Sequence, residues 1–168
     1  MDPDSIPDII KEFSNTKKKF PDGRIDYTNE KDCVVLTIFV MYEDKLLLMK
    51  RSDKVSTYKG KWMAVAGYYD EPVTLRKKVE EELREEIDVV AYKKFHAFDP
   101  LIVEDAGINK NWIIFNALVE LNEDPKIILD WEHTEYVWIM PEDIINYDIV
   151  PSFIENFRKV FGALPRSH

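Results

Sequence analysis

Apolar residues recur along the chain in two rhythms. Near the start, Ile6, Ile9, Ile10 and Phe13 fall on one face at helical spacing and predict a short amphipathic helix over 6–13. A polar stretch carrying the Pro21-Asp22-Gly23 turn follows. The runs CVVLTIFVMY (33–42) and KLLLMKRS (45–52) are dense in β-branched and aliphatic residues, and only Glu43 and Asp44 separate them. They predict a hairpin. STYKGKW (56–62) reads as a loop and MAVAGYY (63–69) as one short strand. Leu75, Val79, Leu83 and Ile87 then recur every fourth residue, the buried stripe of a helix over 74–87. AYKKFHAFDPLIV (91–103) and KNWIIFNALVEL (110–121) predict two further strands with a turn between them, and NEDPKIILDWEHTE (122–135) reads mostly as loop. EYVWIM (135–140) alternates like a final strand, Pro141 opens a short helix in PEDIINY, and PSFIENFRKVF (151–161) reads as a C-terminal helix.

Strands before and after a central helix predict an α/β fold, a mixed sheet flanked by helices. That layout carries no function by itself. The chain has 168 residues, no internal repeat and no linker-like tract, which predicts a single domain over 1–168. A formal charge of −9 excludes general binding to nucleic acid polymers, which needs a basic face. The longest apolar runs are too short to span a bilayer, so no membrane is expected, and the acidic N-terminus lacks the apolar core of a signal peptide. Cys33 is the single cysteine, so no internal disulfide forms, which fits a cytoplasmic location.

Chemistry enters with the stripe's flank. VEEELREEIDV (79–89) places five glutamates within seven positions of the helix end, where the backbone dipole disfavours anions by about 0.3–1 kcal/mol each. Glu82 and Glu86 are an i,i+4 pair and Glu85 is three past Glu82, so the three carboxylates share one side, next to buried residues where unpaired charge is costly. An ordinary solvated face does not account for that conflict. A hard divalent cation, Mg2+ or Mn2+, resolves it.

These residues resemble the signature of the Nudix hydrolase family, G-x5-E-x7-R-E-U-x-E-E-x-G-U with U apolar. The stretch GYYDEPVTLRKKVEEELREEIDV (67–89) matches it without a gap. Gly67 takes the opening glycine, and Glu82, Leu83, Glu85 and Glu86 take the metal-binding core. Val73 stands where the first Glu belongs, Glu81 where the Arg belongs, and Asp88 where the last Gly belongs. In the family that Glu and Arg brace the motif against each other, and their joint absence reads as replacement of a matched pair. Asp88 tolerates the left-handed turn better than most non-glycine residues. The likeness continues through the Gly60-Lys61-Trp62 turn and into WEHTEYVWIMPEDI (131–144).

The resemblance implies an α/β/α sandwich of the Nudix type, with an N-terminal extension (1–31), a core (32–146) and a C-terminal helix (147–168). It implies hydrolysis of a nucleoside diphosphate linked to a further group, with water attacking phosphorus. Glu82, Glu85 and Glu86 would hold Mg2+ or Mn2+, joined by the main chain of Gly67, with Glu82 and Glu85 also serving the chemistry. Glu132 is the first candidate for a general base outside the motif, ahead of Glu104 and Glu135. Arg51, Lys61, Trp62 and Tyr68 are the candidate substrate contacts, with Lys54, Lys59, Tyr69, Trp112 and Trp131 behind them. His133 and His96 read as structural. The rival readings are a nucleotide-binding module without catalysis and an isopentenyl diphosphate isomerase, the latter disfavoured by a buried Cys33 and only three His. A homodimer, through sheet edges or the N-terminal helix, is compatible with the sequence.

Overall fold

The structure is a computed structural model, and it describes residues 1–162; the rest of the segment expected over 147–168 lies outside the described residues. The elements run α1 (Asp8–Thr16), β1 (Asp32–Tyr42), β2 (Lys45–Arg51), β3 (Trp62–Met63), β4 (Val65–Tyr68), α2 (Leu75–Ile87), β5 (Lys94–Ala97), β6 (Leu101–Asp105), β7 (Lys110–Glu120), β8 (His133–Ile139) and α3 (Phe153–Phe161), with a 3-10 turn at Pro141–Asn146. They form a mixed sheet of eight strands with helices on both faces, as the pattern predicts.

The hairpin forms because Glu43 and Asp44 both take positive φ, 46° and 65°, the hand that matches the twist of the strands they join. β1 and β2 stay paired only at Met41–Leu46 and Tyr42–Lys45. Beyond that β2 pairs with β3 at Met49–Met63, with β8 along its other edge from Leu46–Ile139, while β4 takes the place of β2 beside β1 from Val35–Tyr68 to Ile38–Val65. On its other edge β1 runs parallel to β7 from Asp32–Asn111 to Met41–Glu120. This change of partner along β1 opens the sheet and makes room for a cleft.

Two expected strands are each broken in the structure. MAVAGYY divides at Ala64, because β3 pairs with β2 and β4 with β1. AYKKFHAFDPLIV divides at Phe98–Asp99–Pro100, where Pro100 has no N–H to offer a ladder, and its halves pair with successive parts of β7. The expected first helix lies two residues later, and burial of Ile10 and Phe13 fixes it.

α2 is held as its stripe requires. Leu75, Val79, Leu83 and Ile87 are all buried against Val34, Leu36, Ile38 and Val40 of β1, each worth about 1.5–3 kcal/mol. That outweighs the dipole penalty of its acidic end. Thr74 caps the N-terminus, its hydroxyl accepting from Lys77 N–H at 3.2 Å. Asp88 closes the helix in the left-handed region, φ 57° and ψ 38°, so the turn survives without glycine. On the opposite face Phe39, Leu46 and Leu48 pack against Ile144 and against Phe153 and Phe157 of α3.

Candidate functional site

A cleft of about 330 Å³ opens where β1 and β2 part. It is a size suited to a small-molecule ligand. Val35 and Thr37 of β1 and Ile114 of β7 line it, with Arg51 and the 55–58 loop along one wall and Asn156 of α3 at one end. Glu82, Glu85 and Glu86 of α2 enter it together with Gly67, Tyr68 and Glu132.

Gly67 leaves room for the seated Glu82 carboxylate. A Cβ at this position would lie 2.5 Å from Glu82 Oε2 and 2.8 Å from Oε1, so the Glu82 carboxylate occupies the space that a side chain would fill. Glu86 is fixed one residue earlier, its Oε2 accepting from Ala66 N–H at 3.2 Å. Both carboxylates are buried, while Glu85 is open to solvent. The carboxylate oxygens of the three do not all lie within 4.8 Å of one another in this structure. Glu82 leans to Gly67 and to Lys78, 3.7 Å away, and Glu86 leans to Ala66 and Glu132. The tightest group of ligand-type side chains among the described residues is instead Asp130, Glu132 and His133, whose ligand atoms lie within 4.8 Å of one another.

The electrostatics follow from burial. Loss of water pushes the Glu82 carboxyl up to about 8; Lys78 opposes this, and Glu85, Asp70 and Glu81 add to it. Burial also drives Glu86 well above the usual carboxylate range, reinforced by Glu82 and Glu132. Arg51 is pulled down by burial against the attraction of Glu132 and Glu86, and is steered by Thr57, whose carbonyl accepts from Nε at 3.0 Å. His133 is lowered by burial, and its Nδ1 sits 3.0 Å from Asp130 Oδ1.

Of the other expected contacts, Tyr68 stands in the cleft wall between Tyr27, stacked at 5.5 Å, and Trp112 at 6.4 Å. Trp131 also lines the cleft, whereas Tyr69 is core. Lys61 and Trp62 do not reach it. Lys61 Nζ is held 2.9 Å from Asp148, and Trp62 pairs in β3 and meets Tyr147 edge-on at 5.3 Å. The backbone of the 60–62 turn bonds Arg51 on one side and Asp148 on the other, and the two side chains follow the Asp148 side. Lys54, Lys59 and Glu104 are exposed and away from the cleft, and Glu135 pairs with Lys50 at 3.4 Å. His96 is exposed against Phe98.

Sequence reasoning missed Arg24 and Asp70, which line the cleft, and Lys78, which lies behind it. Lys78 is almost wholly buried, with Asp70 at 2.8 Å, Glu71 at 3.1 Å and Glu81 at 3.5 Å from its Nζ. Burial works against its charge, and the bond to Asp70 and the surrounding carboxylates more than restore it. The available signal was its place on the buried flank, four residues before Glu82.

One expected result follows from the Gly67 contact. Gly67→Ala should leave the fold intact, since the Glu82 side chain can swing, but it should lower kcat by about 10–100-fold through misplacing that carboxylate. Steady-state kinetics beside a circular dichroism melt check it, and unchanged turnover would remove Glu82 from the working geometry.

Comparison with known proteins bears on this site. A family model described as NUDIX domain matches residues 32–160. The chain is 28% identical over 114 residues to the nucleoside triphosphatase NudI of Escherichia coli, covering 61% of this chain and 78% of that protein. Among solved structures it is similar to a MutT protein from Methanosarcina mazei, with TM-score 0.63 and 22% identity over 79% of this chain and 94% of that one. It is also similar to the NUDIX domain of Shewanella oneidensis NrtR, solved with ADP ribose, with TM-score 0.65 and 14% identity over 89% of this chain and 95% of that one.

Proposed function

We propose that this chain, which belongs to the Nudix family, is a divalent-cation-dependent hydrolase that cleaves the phosphoanhydride of a nucleoside diphosphate linked to a further group. The observation that carries the reading is the seating of the Glu82 carboxylate against Gly67, with Glu85, Glu86 and Glu132 in the same cleft. The donors are hard carboxylate oxygens, joined by the Gly67 carbonyl, and this set fits Mg2+ or Mn2+. Such an ion, when bound, neutralises phosphate oxygens and lowers the pKa of a water.

The chain's own residues supply the rest. Glu82, Glu85 and Glu86 would hold the cation, and Glu132 would accept the proton of the attacking water. As the water oxygen bonds to phosphorus, the bridging P–O bond breaks and each product keeps a phosphate. Arg51 meets the phosphates, since its guanidinium is fixed at the wall of the cleft beside Glu132 and Glu86. Tyr68, Trp112 and Trp131 offer flat faces to a base. Cys33 is fully buried with its thiol turned to the carbonyls of Tyr27 and Glu30, which speaks against its serving as the catalytic cysteine of the isomerase reading. No described helix is long and apolar enough to cross a membrane.

NudI and the NrtR domain mark two ends of the substrate range to be tried, nucleoside triphosphates and ADP-ribose. A panel holding both, with dinucleoside polyphosphates and nucleotide sugars, should give phosphate-bearing products from one class with Mn2+ or Mg2+ and none in chelator. Binding of a nucleotide without turnover on the whole panel would instead make the chain a binding module.

A further inference from the structure

The family pattern braces its loop–helix motif with a Glu and an Arg that this chain lacks at Val73 and Glu81. The structure holds a different brace at the same place. We infer that Lys78, together with Arg24 from the segment before the matched residues, positions Glu82 and the 69–71 loop for the divalent cation, in place of that missing pair. The inference rests on the hydrolase reading above.

Four carboxylates surround the Lys78 ammonium: Asp70 and Glu71 from the loop, at 2.8 and 3.1 Å, and Glu81 and Glu82 from its own helix, at 3.5 and 3.7 Å. The loop is thereby pinned to the helix by one buried cation. A lysine is 1% exposed here, where an isolated charge would be prohibitively costly, so the arrangement stands only because carboxyl groups surround it. Glu81, which replaces the family's Arg, is no orphan. It lies between Lys78 and the Arg24 guanidinium, 3.2 Å away, and Arg24 also reaches Glu71 at 3.5 Å. The polarity of the brace is thus inverted. Where the family sets a cation at the position before its first metal-binding Glu and an anion in the loop, this chain sets an anion there and bridges it to acidic loop residues through two cations.

The segment that delivers Arg24 is itself fastened to the motif. Ile25 N–H bonds the Asp70 carbonyl at 2.9 Å, and the Tyr27 hydroxyl bonds the Tyr69 carbonyl at 2.8 Å. Arg24 is about half-exposed and lines the cleft, but its guanidinium is turned to Glu81 and Glu71, which makes it a positioning residue.

The test compares the wild type with Lys78→Met, Arg24→Gln, the triple variant Lys78→Met/Val73→Glu/Glu81→Arg, and Lys77→Met as an exposed control. Two readouts are taken on the full chain: Mn2+ affinity without substrate, and kcat and KM on the substrate class found above. Lys78→Met should lose about 10–100-fold in both Mn2+ affinity and kcat, the range for residues that orient metal ligands, with KM little changed. Arg24→Gln should lose several-fold in kcat at unchanged KM. The triple variant, which restores the family's own pair, should regain most of the loss, which a merely stabilising lysine would not allow. Lys77→Met should behave as wild type. Should Lys78→Met fail to fold, a folded triple variant that binds Mn2+ supports the brace, and an unfolded one together with wild-type behaviour of Arg24→Gln overturns it. A folded Lys78→Met with wild-type Mn2+ affinity, or an Arg24→Gln that raises KM alone, also overturns it. Wild-type protein that binds no Mn2+ and cleaves nothing defeats the hydrolase reading, whereas active wild type with an indifferent Lys78→Met defeats only the brace.

Discussion

Glu82→Gln and Glu86→Gln should each lower metal-dependent hydrolysis by at least about a thousandfold, a loss of roughly 4 kcal/mol in transition-state stabilisation. Each substitution removes a hard anionic ligand from the cleft and keeps the shape of the side chain. The fold should survive in both. In the Glu86→Gln variant the amide oxygen can still accept from Ala66 N–H, and the four-residue stripe that seats α2 is untouched. The effect should fall on kcat, because the carboxylates stabilise charge that develops during the reaction, while Arg51 and the aromatic wall are left in place for the substrate. Glu80→Gln is the matching control. Glu80 bonds the Tyr92 hydroxyl at 2.7 Å on the outer face of α2 and should be dispensable. Turnover within tenfold of wild type in both active-cleft variants would mean that the cation, if used, is held elsewhere, with Asp130, Glu132 and His133 the first place to look.

In chelator, the stability of the protein should fall as pH rises from about 5 to about 8. The sign follows from proton counting. Glu82 titrates near 8 in the folded chain against an ordinary value of 4.5, and Glu86 is shifted in the same direction, in both cases chiefly by burial. Between the unfolded and folded values the native state holds protons that the unfolded chain has released, so raising the pH favours unfolding. Below the unfolded value the cost vanishes. Each pH unit over which one such proton is held is worth about 1.4 kcal/mol, so the total reaches a few kcal/mol. Mg2+ or Mn2+ requires the deprotonated carboxylates, so its stabilising effect should grow over the same interval and flatten the profile. Glu86→Gln in chelator at pH 8 should melt above wild type, by at least about 1 kcal/mol of stability, and should respond far less to metal. Thermal melts at three pH values, with and without Mn2+, decide the matter. A melting temperature that stays level or rises toward pH 8 in chelator would show that the buried pair is not under the strain its burial implies.

Most of what was legible in the sequence was periodic or local. The stripe of α2, the two-residue hairpin turn and the tolerance of Asp88 for a left-handed turn all depend on neighbours a few positions apart, and all are found. The breaks at Ala64 and Pro100 were not legible as breaks, because each is imposed by which strand lies alongside. The grouping of Glu82, Glu85 and Glu86 in one cleft followed from helical spacing, but their splaying did not. It depends on Gly67, Ala66 and Lys78 drawing two of them apart. Lys61 and Trp62 do lie beside Arg51, whose N–H donates to the Lys61 carbonyl, but their side chains go to Asp148 and Tyr147, which no spacing in the sequence reveals. Arg24 lies 57 residues from Glu81, a distance across which no spacing rule operates.

The clasp between residues 25–27 and the loop after β4 has a practical meaning for anyone dividing this chain into parts. The matched region begins at residue 32, yet the carbonyls of Tyr69 and Asp70 inside it are satisfied by donors that precede it. A chain trimmed at the boundary of sequence similarity would strip those carbonyls of their partners and lay bare the face of Tyr68 that Tyr27 covers. Ile10 and Phe13, buried in the larger core, would be lost with it. Kinship and self-sufficiency thus have different borders here: the family match starts at β1, and what can stand alone starts earlier.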